Sequence, residues 1–158
     1  MRMYWLVAAV LIPSASVRGE APKGPLEGVW QAVEVTHGAP AVMIKPGPNL
    51  TIFSGRFYSR VDVQTQEMRP VITNPRTATA EELRQVWGLV VAEAGSFELT
   101  DDLITLRPTV SKNPAAMAPD VSIVYAYKLN GGTLTLTAQR DLHGPVTITL
   151  IVKLVRAK

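Results

Sequence analysis

The sequence contains no cysteine, which excludes disulfide bonds, thiolate catalysis and cysteine-ligated metal sites. The folded chain must therefore be stabilised by its hydrophobic core. Its 158 residues are enough for one well-buried domain and too few for two.

Signatures of catalysis are also absent. The chain has no G-x-S-x-G nucleophile turn, no H-E-x-x-H metal motif and no glycine-rich phosphate loop. His37 and His143 each stand beside a glycine and are interpreted as surface turn residues, as are Asp101 and Asp102. The sequence thus indicates no catalytic residue, no metal site and no cofactor, and favours a non-enzymatic protein without excluding an enzyme.

Basic residues are not clustered into a stripe, so nucleic acid is not an expected partner. The formal net charge of the whole chain is +3. It falls to +1 when residues 1–19 are removed, because they contain Arg2 and Arg18 and no acidic residue. The basic character of the chain therefore owes much to its N-terminal segment.

That N-terminal segment has the order of a secretory signal peptide. Arg2 precedes an apolar run, "YWLVAAVLI" (4–12), and small residues follow Pro13. The rival interpretation is a membrane anchor, but the run is much shorter than the ~20 residues needed to cross a bilayer. We predict a signal peptide over 1–19, cleaved after Ser16 or Gly19, then a flexible lead-in over 20–25 and one domain over 26–158. The mature chain has no transmembrane span and is expected in the bacterial periplasm or secreted.

The rest of the chain is a series of short alternating runs separated by turn signals. Eight strands are predicted, at 28–36, 48–54, 56–63, 95–100, 102–107, 121–130, 132–140 and 145–155. In the last three, apolar and polar residues alternate with a period of two, which predicts an antiparallel sheet with one buried face.

One segment has helical periodicity instead. "TAEELRQVWGLVVAEA" (79–94) places apolar residues on one stripe, and Thr79 with Glu82 forms a capping box at its start. We predict one helix, lying on the barrel or across its end. Eight strands that each have one apolar face can bury it in a sandwich of two sheets or in a closed barrel. Sequential hairpins favour an eight-stranded antiparallel up-and-down barrel.

Residues 26–156 resemble the bacterial lipocalin-like domain family, which has a lipocalin-type β-barrel. "GVW" (28–30) matches the G-x-W of the first lipocalin strand, and "LTIFSGRFYS" (50–59) resembles the second and third strands. "AGSFELTDDLITLRP" (94–108) and "YAYKLNGGTLTLT" (125–137) are similar to two later hairpins. The sequence departs from the lipocalins proper in its mid-chain helix and in its lack of the T-D-Y loop motif and of cysteines.

The resemblance implies a barrel floor made by Gly28, Trp30 and Arg156, with the arginine packed across the tryptophan. It also implies a small apolar or amphipathic ligand inside the barrel. Strand alternation, with the apolar face of each strand taken as inward, gives candidate pocket residues, and Trp87 of the helix is added near the mouth. These candidates are Phe57, Ser59, Trp87, Tyr125, Tyr127, Leu136 and Leu150.

Three functions follow as hypotheses. The leading one is an exported protein that binds a small hydrophobic or amphipathic ligand in its barrel. The second is a filled barrel that acts by its surface, as a structural or interaction module. The third is an isomerase or hydratase, which would need inward tyrosines together with Asp or Arg. The ligand's identity and the oligomeric state are left open.

Overall fold

The computed structural model describes residues 24–157. The predicted signal peptide, 1–19, and residues 20–23 of the predicted lead-in lie outside the described residues. The described elements are β1 (Gly28–Gly38), β2 (Val42–Ile44), β3 (Asn49–Ser54), β4 (Phe57–Val63), α1 (Ala80–Trp87), β5 (Val90–Leu99), β6 (Leu103–Ser111), a 3₁₀ turn (Pro114–Met117), β7 (Ile123–Asn130), β8 (Thr133–Asp141), β9 (Gly144–Pro145) and β10 (Thr149–Arg156).

Eight of these strands close into an antiparallel barrel in the order β1, β3, β4, β5, β6, β7, β8 and β10. The pairing of β10 with both β8 and β1 completes the ring. The two short strands are appendages, with β2 paired to β1 and β9 paired to β8. The prediction of an eight-stranded up-and-down barrel with one α-helix is confirmed. No helix within residues 24–157 is long and apolar enough to cross a membrane.

The predicted helix over 79–94 is too long. Its start is right, because Thr79 and Glu82 form the capping box through bonds of 2.7 and 3.2 Å. It ends at Trp87, and from Val90 the chain is strand β5. Gly88 is a weak helix former and the β-branched Val90 and Val91 suit a strand. Pairing of β5 with β4 and β6 therefore overrides the helical stripe.

The link between α1 and β5 is held by a lysine. Lys112 Nζ donates to the carbonyl of Trp87, and also to that of Val90 at 2.9 Å. The helix itself buries no residue, and the Trp87 side chain is 55% exposed. Trp87 is therefore not a core residue.

The core fills one end of the barrel. Its largest fully buried side chains are Trp30, Phe53, Leu26, Ile104 and Leu134. Trp30 Nε1 donates to the Leu26 carbonyl at 2.7 Å, so its one polar group is satisfied in the core. Phe53 and Phe97 meet edge to face with ring centroids 5.1 Å apart. This end of the barrel is solid.

The register of β3 and β4 decides which face of β4 points inward. A two-residue turn pairs Ser54 with Phe57 and Phe53 with Tyr58. Since opposite residues share a face, the buried Phe53 brings Tyr58 inward too. Tyr58, Arg60 and Asp62 therefore point into the barrel. The prediction that the other face of β4 is inward is wrong.

Candidate ligand cavity

The other end of the barrel is hollow. A cavity of about 420 Å³ occupies it, within the size range of small-molecule sites. Much of its wall is apolar, and four strands contribute Phe53, Ile104, Leu106, Leu136, Leu150 and Val152. Strand β1 has Trp30 at the solid end of the barrel and His37 at the cavity. The solid half and the hollow half therefore follow one another along this strand.

The mouth of the cavity is formed by the segment that follows β2 and by the end of β4. Ile44, Lys45 and Gly47 line it together with Gln64 and Thr65, which follow β4. The Ile44 side chain is 51% exposed, so the rim presents apolar surface to solvent.

His37 also lines the cavity, although the sequence predicts it in a surface turn. It lies in β1 opposite Leu150 of β10. A β-bulge between Ala32 and Glu34 shifts the register, and this shift brings Val35 and His37 to the inner face. His143 lies in the turn between β8 and β9, where its backbone N–H donates to Asp141 Oδ1 at 2.7 Å.

A polar cluster spans the cavity wall at mid-depth. Tyr58 and Arg60 of β4 meet Glu93, which lies opposite Arg60 on β5. The Tyr58 hydroxyl donates to Glu93 Oε1 at 3.1 Å, and Arg60 Nη1 donates to the Tyr125 hydroxyl oxygen at 3.1 Å. Arg60 Nε lies 3.0 Å from Glu93 Oε1 in an ion pair, but it is not aligned for a hydrogen bond. Two hydrogen bonds and one ion pair thus link these four side chains into one cluster.

The pKa shifts in the cluster follow from burial and charge. Burial raises the pKa of Tyr58, and the Glu93 carboxylate beside it raises that pKa further. Burial lowers the pKa of Arg60, but Tyr125, Glu93 and Asp62 together outweigh it and the net shift is upward. Arg60 is therefore a permanent cation and Tyr58 a neutral phenol.

Asp62 lies one step nearer the mouth than Arg60, on the same face of β4. Its neighbours across the strands are Asn49 and Val91. Burial raises the pKa of its carboxyl, against a lowering by Arg60 and with a further rise from Glu93. Within residues 24–157, no side chain forms a hydrogen bond or ion pair with the carboxylate.

Of the predicted pocket residues, the structure brings together Tyr125, Leu136 and Leu150 on the cavity wall. Phe57 is 56% exposed on the outer face of β4, and Ser59 shares that face. Trp87 lies on α1, away from the cavity wall.

Tyr127 packs against the core and not against the cavity. Its hydroxyl donates to the Thr100 carbonyl at 3.3 Å. The prediction that the two inward tyrosines of β7 share one pocket is therefore wrong for Tyr127, and Tyr125 alone faces the cavity.

The residues predicted for the floor come together at the solid end. Arg156 Cζ lies 4.4 Å from the centroid of the Trp30 ring. Gly28, with φ at 125°, lies so close that an added Cβ would be 2.7 Å from Arg156 Nη1. A side chain at this position would displace the arginine.

Sequence reasoning missed Tyr58, Arg60, Asp62 and Glu93. The signal for the first three was available, because the Ser-Gly-Arg turn fixes which residue faces Phe53. Glu93 was placed in the predicted helix. In β5, Glu93 lies on the same face as Val91, because they pair with Arg60 and Asp62, and the β-branched Val90 and Val91 are the local signal for a strand.

No protein-family model matches the sequence, and no curated protein sequence does. Among solved structures, a lipocalin-like protein from Bacteroides uniformis ATCC 8492 superposes with a TM-score of 0.51 at 13% identity. The match covers 85% of this chain and 100% of that one. A likeness at this identity shows the fold alone. Together with the closed antiparallel barrel, it shows that the fold is lipocalin-like.

Proposed function

We propose that this lipocalin-like barrel binds a small amphipathic molecule in its cavity. The observation that carries the proposal is one hollow of about 420 Å³ that combines apolar walls with a built polar cluster. Ligand sites generally combine an apolar lining with a few fixed polar groups. An apolar tail fits between Phe53, Leu136 and Val152, and a polar head fits beside Arg60 and Asp62.

The cavity also weighs against the filled-barrel alternative. Bulky side chains fill only the end that contains Trp30 and Phe53. At the other end, residues such as Leu150 and Val152 of β10 are only partly buried, and they face open space. A barrel that acted only by its surface would have no need of this hollow, which leaves apolar groups without packing partners.

A blocking experiment tests the binding proposal. In Leu150→Trp/Val152→Trp, two indoles enter the cavity from one strand. The matched control is Leu50→Trp/Ile52→Trp, because these residues of β3 are 41% and 38% exposed on the outer surface. The probe is N-phenyl-1-naphthylamine, an uncharged dye that fluoresces in apolar surroundings.

The unaltered protein and the control are expected to bind the dye saturably at one site, and the blocked variant at least tenfold more weakly. Circular dichroism verifies that each variant is folded. Equal binding by the blocked variant, or no saturable binding by the unaltered protein, would overturn the proposal.

One observation favours a second candidate, an isomerase or hydratase. Arg60 donates to the Tyr125 oxygen, which leaves the phenolic proton free to donate to a ligand carbonyl, and Asp62 lies nearby as a base. The test is deuterium incorporation beside the carbonyl of 2-decanone in heavy water. Enzyme-dependent exchange that is lost in Asp62→Asn supports this candidate, and no exchange above buffer removes it.

We propose further that the protein is exported, on the basis of the N-terminal sequence. The test is the mass of the protein recovered from a bacterial host. A chain that begins at Val17 or Glu20 supports export, and a full-length chain confined to the cytoplasm contradicts it.

A further inference from the structure

The charged groups of the cavity are not all paired. Arg60 and Glu93 form an ion pair at 3.0 Å. The Tyr58 hydroxyl donates to Glu93, and the Tyr125 hydroxyl oxygen accepts from Arg60. Asp62 also lies on the cavity wall, and within the described residues no side chain forms a hydrogen bond or an ion pair with its carboxylate. Because Glu93 already neutralises Arg60, Asp62 adds one unpaired negative charge at this depth, and the other charge on the lining is that of the exposed Lys45.

The excess charge lies in the cavity and not in bulk solvent. The side chain of Asp62 is partly buried, and burial raises the pKa of the carboxyl, so the charge is costly to maintain there. The other titratable groups on the lining are Lys45 and His37, and both are solvent-exposed residues at the mouth. Because water can solvate these two side chains, neither needs to turn inward and pair with Asp62.

We propose that the polar head of the ligand is a cation that donates hydrogen bonds, such as a primary ammonium group, and that it binds at Asp62. This inference rests on the proposed function and specifies its ligand class. An ammonium would compensate the carboxylate and donate to it, and charge-assisted bonds of this kind are among the strongest in proteins. A carboxylate head would meet a wall whose only buried cation is already neutralised by Glu93.

The depth of Asp62 sets the orientation of the ligand. Asp62 is the penultimate residue of β4, which ends at the mouth, and Tyr58 is four residues deeper. Phe53 lies opposite Tyr58 and is therefore also deeper than Asp62, and Ile104 and Leu154 continue the apolar lining. The molecule therefore enters with its tail leading towards Trp30 and leaves its head near the mouth.

The test compares three ten-carbon probes that differ only in the head group. Decylamine is cationic at pH 7, decanoate is anionic and decanol is neutral. Their dissociation constants are measured by isothermal titration calorimetry on the unaltered protein, on Asp62→Asn and on Asp120→Asn. Asp120 is an exposed aspartate away from the cavity, so this control makes the same chemical change and the same change in net charge.

Decylamine is expected to bind at least tenfold more tightly than decanoate to the unaltered protein and to Asp120→Asn. Asp62→Asn is expected to lose most of this preference, with decanol as the neutral reference in each protein. Decanoate binding as tightly as decylamine, or an unchanged preference in Asp62→Asn, would overturn the ammonium proposal and leave the binding cavity intact. Failure of all three probes to bind would overturn both.

Discussion

Arg156 lies across Trp30, with Cζ 4.4 Å from the ring centroid, and ties the last barrel strand to the chain that precedes the first. Arg156 Nη1 donates to the Glu27 carbonyl at 2.6 Å and Nη2 to the Pro25 carbonyl at 3.2 Å. The guanidinium therefore closes the solid end of the barrel from outside, while the indole fills it from within.

Trp30→Ala is expected to lower the free energy of unfolding by about 3–5 kcal/mol, because the indole is fully buried and its loss leaves a cavity. The matched control is Trp87→Ala, since that side chain is 55% exposed and its loss should cost under ~1 kcal/mol. Urea melts of both variants make the measurement. A loss below ~1 kcal/mol for Trp30→Ala would show that it is not the plug of the barrel.

Gly28→Ala is expected to destabilise the protein more than Gly144→Ala. Both glycines have φ near 120°, at 125° and 120°, so the backbone strain of an alanine is similar. Only at Gly28 does the new Cβ meet another group, Arg156 Nη1 at 2.7 Å, whereas at Gly144 nothing lies within 4 Å. The difference between the urea midpoints of Gly28→Ala and Gly144→Ala measures the destabilisation caused by the contact with Arg156. Equal losses would mean that the arginine moves aside without cost.

Tyr125→Phe is expected to weaken binding of a polar ligand and to lower stability by roughly 1.5–3 kcal/mol, since it removes a hydrogen bond to the Arg60 guanidinium. Tyr127→Phe is the control, because that hydroxyl bonds to the Thr100 carbonyl away from the cavity. Calorimetric titrations with decylamine and urea melts compare the two variants. Loss of ligand in Tyr127→Phe alone would reverse our assignment of the cavity face.

Asp62→Asn is expected to be more stable than the unaltered protein at pH 7. Burial raises the pKa of Asp62, so the folded state binds its proton more tightly than the unfolded state does. The stability from Asp62 is therefore fully present only below the usual aspartate pKa of about 4 and is lost as pH rises through the folded pKa.

Thermal melts from pH 4 to 8 test this expectation. The stability difference between Asp62→Asn and the unaltered protein should grow as pH rises and shrink towards pH 4. Arg60, Glu93, Lys45 and His37 lie around the same cavity, and all are retained in both proteins, so the difference isolates Asp62. A variant that is less stable at every pH would contradict the buried, unpaired carboxylate.

Sequence patterns predicted the barrel because most of its strands alternate cleanly and are joined by short turns. Strands such as β8 and β10 have one apolar face, so their inner residues, Leu136 and Leu150 among them, could be read directly. The capping box of α1 was equally local, because Thr79 and Glu82 lie within one helical turn.

The residues of the candidate site could not be predicted in the same way, because strand β4 does not place its more apolar face inward. On β4 the polar residues Arg60 and Asp62 face the interior while Phe57 and Val61 face solvent. The inward face is set by pairing with Phe53, and the cost of a buried Arg60 is offset by Glu93, which is 33 residues away in the sequence. Neither contact is visible in the periodicity of one strand.

Native mass spectrometry of the protein, purified without detergent, tests the central claim most directly. We predict a discrete mass above that of the polypeptide, released on unfolding and absent from Leu150→Trp/Val152→Trp. A bare polypeptide mass that stays unchanged after incubation with decylamine, decanol and mixed lipids would contradict a ligand-binding barrel.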